Sequence, residues 1–170
     1  AHYDGAPGIL VSSLVWITAA VVCHGVGMHK AVWTLFIGGA LIYPIATVVE
    51  KALGRPAKTE KANALNQLAA ASTVWLILCC AMAYGVFLLK PEFFFPAMMA
   101  TIGSRYLVFA TVFGRTVFWT LGGSLIAAAS LVFFFVVPPV VAAGVGGLIE
   151  AFFAFFVFSS ASKPRSNEAT

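Results

Sequence analysis

Arg105 and Glu150 are the two charged residues that the sequence sets deep inside long apolar stretches. Arg105 lies twelve residues into a stretch that opens at Phe93, and Glu150 ten residues into one that opens at Val140. At about 1.5 Å rise per helical residue, both fall about 15–18 Å from the same end of their helices. A lone charge at mid-bilayer costs about 2.5–3.5 kcal/mol or more on insertion scales, so each needs a partner or a watery cavity. Equal depth lets the two pair if their helices are neighbours, with Tyr106, Ser104 or Ser130 completing the cluster. One chemistry for such a cluster is a proton or ion relay, or an anion site built on Arg105. The other is an internal ion pair that fixes helix packing. Arg105 could also extend towards the opposite surface, nine residues away at Gly114.

Metal chemistry has little support. His24 and Met28, at i and i+4, come nearest to a ligand pair, yet a lone histidine more often packs and hydrogen-bonds. Cys23–His24 and Cys79–Cys80 are adjacent pairs, which point about 100° apart on a helix and do not readily share one metal. No cofactor is expected. Nor is a disulfide framework, since all three cysteines lie in apolar stretches. Ser12–Ser13, Ser72–Thr73 and Ser159–Ser160 have no His–Asp arrangement near them, and His2, His29 and Asp4 sit at a terminus or between spans. Nothing in this supports an enzyme.

The elements that must position these residues follow from composition. Of 170 residues, 61% are hydrophobic and 9% charged, with a mean hydropathy of +0.98. A soluble domain carries roughly 25% charged residues to cover its surface. Lipid is therefore the solvent, and a nucleic-acid role is excluded despite the net charge of +4. A bilayer core of about 30 Å takes about 20 helical residues to cross. Six segments qualify: Ile9–Met28, Ala31–Val49, Leu68–Leu89, Phe93–Phe113, Thr116–Val137 and Val140–Ser160. The fold class is thus an all-α bundle of about six spans in one transmembrane domain. The first run is as long as a full span and others follow, so it reads as a resident helix rather than a cleaved leader. Continuous apolar runs such as 69–89 contradict the alternation that a β-barrel needs.

His29–Lys30, Lys90–Pro91–Glu92, Gly114–Arg115 and Pro138–Pro139 mark breaks between spans. The one long loop, Glu50–Gln67, includes Thr59, a candidate cap for an amphipathic lead-in to the third span. With the N-terminus inside, the inner side holds Lys51, Arg55, Lys58, Lys61, Arg115, Lys163 and Arg165, against Lys30 and Lys90 outside. Seven against two places both termini in the cytoplasm. The fourth span is the weakest of the six, because Phe93–Gly103 could be re-entrant.

Gly38–Gly39–Ala40, Gly122–Gly123–Ser124 and Ala142–Gly147 carry small residues at spacings that let membrane helices approach closely. Pro44 and Pro96 are expected to free backbone carbonyls within their spans. Trp33, Tyr43, Phe93–Phe95 and Trp119 lie towards span ends, as interfacial anchors do. Residues 30–42 (KAVWTLFIGGALI) resemble 115–126 (RTVFWTLGGSLI), each opening a span. Two three-helix halves related in this way are inverted, an arrangement common in secondary transporters.

Four stretches together, Gly5–Trp16 (GAPGILVSSLVW), Phe36–Pro44 (FIGGALIYP), Lys90–Met99 (KPEFFFPAMM) and Ile102–Tyr106 (IGSRY), resemble a family of small polytopic bacterial inner-membrane proteins. That family is a domain of unknown function. The resemblance runs from about Gly5 to Phe135, so it includes Arg105 and stops short of Glu150. It implies a bacterial inner-membrane location and brings no activity or catalytic residues. Two functions are consistent with the residues. One is a small transporter or channel for protons or a small anion, using Arg105 and Glu150. The other is a non-transporting scaffold or accessory subunit that binds lipid, quinone or partner helices. Membrane lipids are the expected partners, with a second copy or another membrane protein as further candidates.

Overall fold

In a computed structural model each of the six segments is helical: α1 Ala6–Gly25, α2 Met28–Ala52, α3 Ala64–Leu89, α4 Phe94–Phe113, α5 Val117–Phe134 and α6 Pro139–Ala161. The structure describes residues 6–52 and 64–161, and contains no strand among them. Thr59 and most of the loop around it lie outside the described residues. Five helices are long and apolar enough to cross a membrane; in α2 the apolar stretch is Met28–Ile42. At 25 residues, α2 reaches about 36 Å, which spans a bilayer core by length.

Backbone chemistry sets the helix ends, and it moves several of the expected breaks. The α1–α2 break lies at Val26–Gly27 rather than at His29–Lys30, which fall in the first turn of α2. Gly27 has φ +118, open only to glycine, and the Val26 and Gly27 amides donate to the Val22 carbonyl at 2.8 and 3.0 Å. Gly114, at φ +62, ends α4 in the same left-handed region. α5 stops at Phe134, three residues before the expected Val137. Val136 turns at φ +48 ahead of Pro138, and Pro139 opens α6. The fourth span is a continuous helix behind a short 3₁₀ turn, Pro91–Phe93, and is long and apolar enough to cross a membrane. Pro96 is the third residue of α4, so its missing N–H belongs to the unbonded first turn and frees no interior carbonyl. Pro44 lies inside α2.

α1 packs between α2 and α6, and α4 packs between α3 and α5, while α6 also contacts α4 and α5. Glycines let these pairs close. A Cβ on Gly122 of α5 would lie 2.6 Å from the Gly103 carbonyl oxygen of α4, so the two backbones touch there. A Cβ on Gly146 would lie 3.1 Å from the Trp16 indole, and one on Gly147 2.8 Å from Ile17 of α1. Gly38 of α2 likewise faces Val15 of α1. The stripes are therefore packing faces, as small residues in membrane helices commonly are. α2 and α3 meet through Trp33, Phe36 and Tyr84, with ring centroids 6.2–6.3 Å apart.

Two expected anchors are core residues. Phe94 and Phe95 are fully buried, stacked edge-on at 5.2 Å, and reach Phe36, Phe87 and Trp16. The chain turns inward after Pro91, which directs their rings into the bundle rather than to the membrane surface. Trp33 and Trp119 are exposed, as anchors would be. The Tyr43 side chain lies outside the described residues.

Candidate functional site

α6 carries Glu150 into the centre of the bundle, where its side chain is 0% exposed. Gly146 and Gly147, one turn earlier on α6, allow α1 to approach closely enough for Ser12 to reach the carboxyl. From α4, Tyr106 donates its hydroxyl to Glu150 Oε1 at 3.1 Å. Tyr106 is itself held by Phe118 of α5, stacked at 6.1 Å and 18°, and by the Gly103–Gly122 contact one turn away. Three helices thus meet at one carboxyl group, and α5 braces Tyr106 from behind. The second oxygen of that carboxyl, Oε2, is buried and has no hydrogen-bond partner among the described residues. A buried, partly satisfied carboxyl is the kind of group that persists in a membrane only with a role in packing or in ion chemistry.

Arg105 does not join it. Successive helical residues point about 100° apart, so Arg105 faces α3 while Tyr106 faces α6. Arg105 Nη2 donates to Thr73 Oγ1 of α3 at 3.3 Å, and the guanidinium lies 5.1 Å from the Phe109 ring centre. Its Nε is buried and has no hydrogen-bond partner among the described residues. Among the described residues no carboxylate meets Arg105, and no cation meets Glu150. The sequence places the two at equal depth; the structure puts Tyr106 between them, and each has its own neighbours.

Ser104 and Ser130 belong to neither cluster. The Ser104 hydroxyl donates to the Thr101 carbonyl at 2.7 Å, and Ser130 donates to the Ile126 carbonyl at 3.0 Å from an exposed position. Both bonds stay within their own helices, a common use of serine in apolar surroundings. The two residues that sequence reasoning missed are Ser12 and Thr73. Each stands in a Ser–Ser or Ser–Thr pair that was weighed only as a nucleophile. The period that brings Ser12 onto the Gly146 face needed the α1–α6 pairing, which the sequence does not state.

His24 is exposed at the end of α1, and the Met28 sulfur takes the Cys23 thiol at 3.7 Å. No group of three potential metal ligands occurs among the described residues. Cys23, Cys79 and Cys80 are all free thiols.

Neither the curated proteins nor the solved structures contain a match to this chain. Glu150, beyond the stretch that carried the resemblance, lies within the region that a family model does match. That match covers residues 1–160, and the chain belongs to the family of unknown function DUF7010.

Proposed function

We propose that the protein is a small multi-pass transporter for protons in the bacterial inner membrane, with Glu150 as the group that carries the proton. The observation behind this reading is the Glu150 carboxyl: wholly buried, bonded by Tyr106 at one oxygen, and unbonded at the other. A charged carboxylate there has no cation beside it among the described residues, and desolvation without a partner costs several kcal/mol. Uptake of a proton at Oε2 removes that charge, and Tyr106 and Ser12 hold the carboxyl in one orientation as the proton comes and goes. The charge count along the sequence supports an orientation with both termini in the cytoplasm.

The likeness of residues 30–42 to 115–126 supports an inverted repeat of α1–α3 and α4–α6. The paired contacts of α1 with α2 and α6, and of α4 with α5 and α3, follow the same exchange. Sites in such proteins lie near the midplane between the halves, and Glu150 lies between helices of both.

A second reading, a non-transporting scaffold, is favoured by a different observation. The groove of about 230 Å³ between α1 and α2 is lined by aliphatic side chains such as Leu14, Val15 and Ile45. Thr18 and Thr34, also in its wall, donate to carbonyls of their own helices. Such a groove suits an acyl or isoprenoid chain better than an ion.

Proton flux into liposomes separates the two. The purified full-length protein is reconstituted with a pH-sensitive dye inside, and an inward proton current is driven by a potassium diffusion potential. Transport by Glu150 predicts acidification with the wild type and none with Glu150→Gln of unchanged helix content and elution profile. Equal acidification with both proteins rules out Glu150 as the carrier. No flux from the wild type, together with a lowered melting temperature for Glu150→Gln, supports the scaffold.

A further inference from the structure

Arg105 is a cation inside the membrane that no described residue neutralises. Of the five N–H donors of a guanidinium, Nη2 meets the neutral Thr73 hydroxyl and the Phe109 ring lies against the group, while Nε is buried without a partner. Glu150 is bonded by Tyr106 on another face of α4, and Glu92 lies at the far end of the helix, before Phe94.

Depth and surroundings identify what completes the site. Thr73 lies sixteen residues from Leu89, the end of α3. That is about 24 Å along a helix, against a hydrocarbon core of about 30 Å. The guanidinium therefore lies in the third of the membrane nearest the α2–α3 connection. α3 packs on α4 and on the turn before it and meets α2 through Tyr84, and its outer face is open: Val74, Trp75, Leu78 and Met82 are all exposed. The seam beside Arg105 thus opens sideways to lipid rather than to water. In sequence the adjoining connection carries Lys51, Arg55, Lys58 and Lys61 against Glu50 and Glu60, a net basic composition that favours anionic lipid.

We propose that the α3–α4 seam at Arg105 and Thr73 binds the phosphate of an anionic phospholipid from the cytoplasmic leaflet. The phosphate oxygens accept from the free donors of Arg105 in the forked geometry that guanidinium and phosphate share. The Thr73 hydroxyl fixes the plane of the guanidinium, and the acyl chains run along the exposed face of α3. This site does not depend on Glu150 carrying a proton.

Native mass spectrometry of the full-length protein in detergent tests the assignment. Phosphatidylglycerol and phosphatidylcholine of identical acyl chains are titrated separately, and inorganic phosphate is added as a competitor. The wild type is expected to retain one phosphatidylglycerol with about tenfold preference over phosphatidylcholine, whose choline cation offsets the charge of its phosphate. Arg105→Gln abolishes the preference, Arg105→Lys keeps part of it, and Thr73→Val lowers it about threefold through loss of one neutral hydrogen bond. An undiminished preference in Arg105→Gln overturns the site. If Arg105→Gln does not fold, unchanged preferences in both Arg105→Lys and Thr73→Val overturn it instead. Displacement of the lipid by millimolar inorganic phosphate overturns the lipid as occupant and assigns the site to a small free oxyanion.

Discussion

Tyr106 of α4 and Glu150 of α6 are joined by a buried hydrogen bond of 3.1 Å, although 44 residues separate them in the chain. The residue before Tyr106, Arg105, leaves the helix in another direction and bonds Thr73 of α3. Two consecutive residues of α4 therefore serve two separate polar sites, one in the centre of the bundle and one in the α3–α4 seam. This division follows from helical geometry. A single turn of α4, set between α3 and α6, can present adjacent side chains to different neighbours but not to one.

The Tyr106–Glu150 bond has a measurable signature. Tyr106→Phe keeps the ring against Phe118 and removes the 3.1 Å hydrogen bond to Glu150 Oε1. The expected loss is about 1 kcal/mol or somewhat more, since the carboxyl is left less satisfied in a dry interior. In a Glu150→Leu background the same Tyr106→Phe change is expected to cost almost nothing. Reversible unfolding in mixed micelles measures both arms of this cycle. An equal cost in both backgrounds would show that the bond contributes nothing.

The packing of α4 on α5 makes a sharper contrast between adjacent glycines. At Gly122 a methyl group would press on the Gly103 carbonyl oxygen and on Leu107, whereas at Gly123 it would meet open space. Gly122→Ala is expected to destabilise by about 1–3 kcal/mol, the usual range for overpacking. Gly123→Ala should be neutral or slightly stabilising, because alanine favours a helix over glycine by up to about 1 kcal/mol. Thermal unfolding of the two variants side by side decides it; matching melting temperatures would contradict the close approach.

Much of this architecture is legible in the sequence, because lipid imposes a simple rule: long apolar runs must be helices. The rule finds all six helices. It does not say which helices are neighbours, and that is what separates Arg105 from Glu150 and brings Ser12 and Tyr106 to the carboxyl. Tyr106 was within reach of sequence reasoning because it adjoins Arg105. Ser12 was not, since its role depends on Gly146 and Gly147 admitting α1. The same gap explains Phe94 and Phe95. Their position near a span end fits an interfacial anchor, and only the inward turn after Pro91 makes them core.

Val136 offers a test of local backbone strain. It is a β-branched residue at φ +48, an exposed position between α5 and α6. The left-handed region costs an L-residue about 1–2 kcal/mol, and glycine enters it freely. Val136→Gly is therefore expected to stabilise the protein by about 1 kcal/mol, less the added freedom of glycine in the unfolded chain. A drop in melting temperature would mean that the turn is held differently.

Orientation can be read by chemical labelling. The background is a chain in which Cys23, Cys79 and Cys80, all free and half-buried, are replaced by alanine. Single substitutions Lys30→Cys, Lys90→Cys, Arg115→Cys and Lys163→Cys then report on four positions at or near helix ends. If α1–α6 all cross the membrane with the N-terminus inside, the first two react with an impermeant maleimide in intact cells. The last two react only after lysis. Reactivity of positions 115 and 163 alone would reverse the orientation and move the Arg105 seam to the outer leaflet. Reactivity of positions 30 and 115 on the same side would show that α2, whose apolar stretch among the described residues is Met28–Ile42, does not cross. Every helix after it would then run in the opposite direction, and α1–α3 could not be the inverted counterpart of α4–α6.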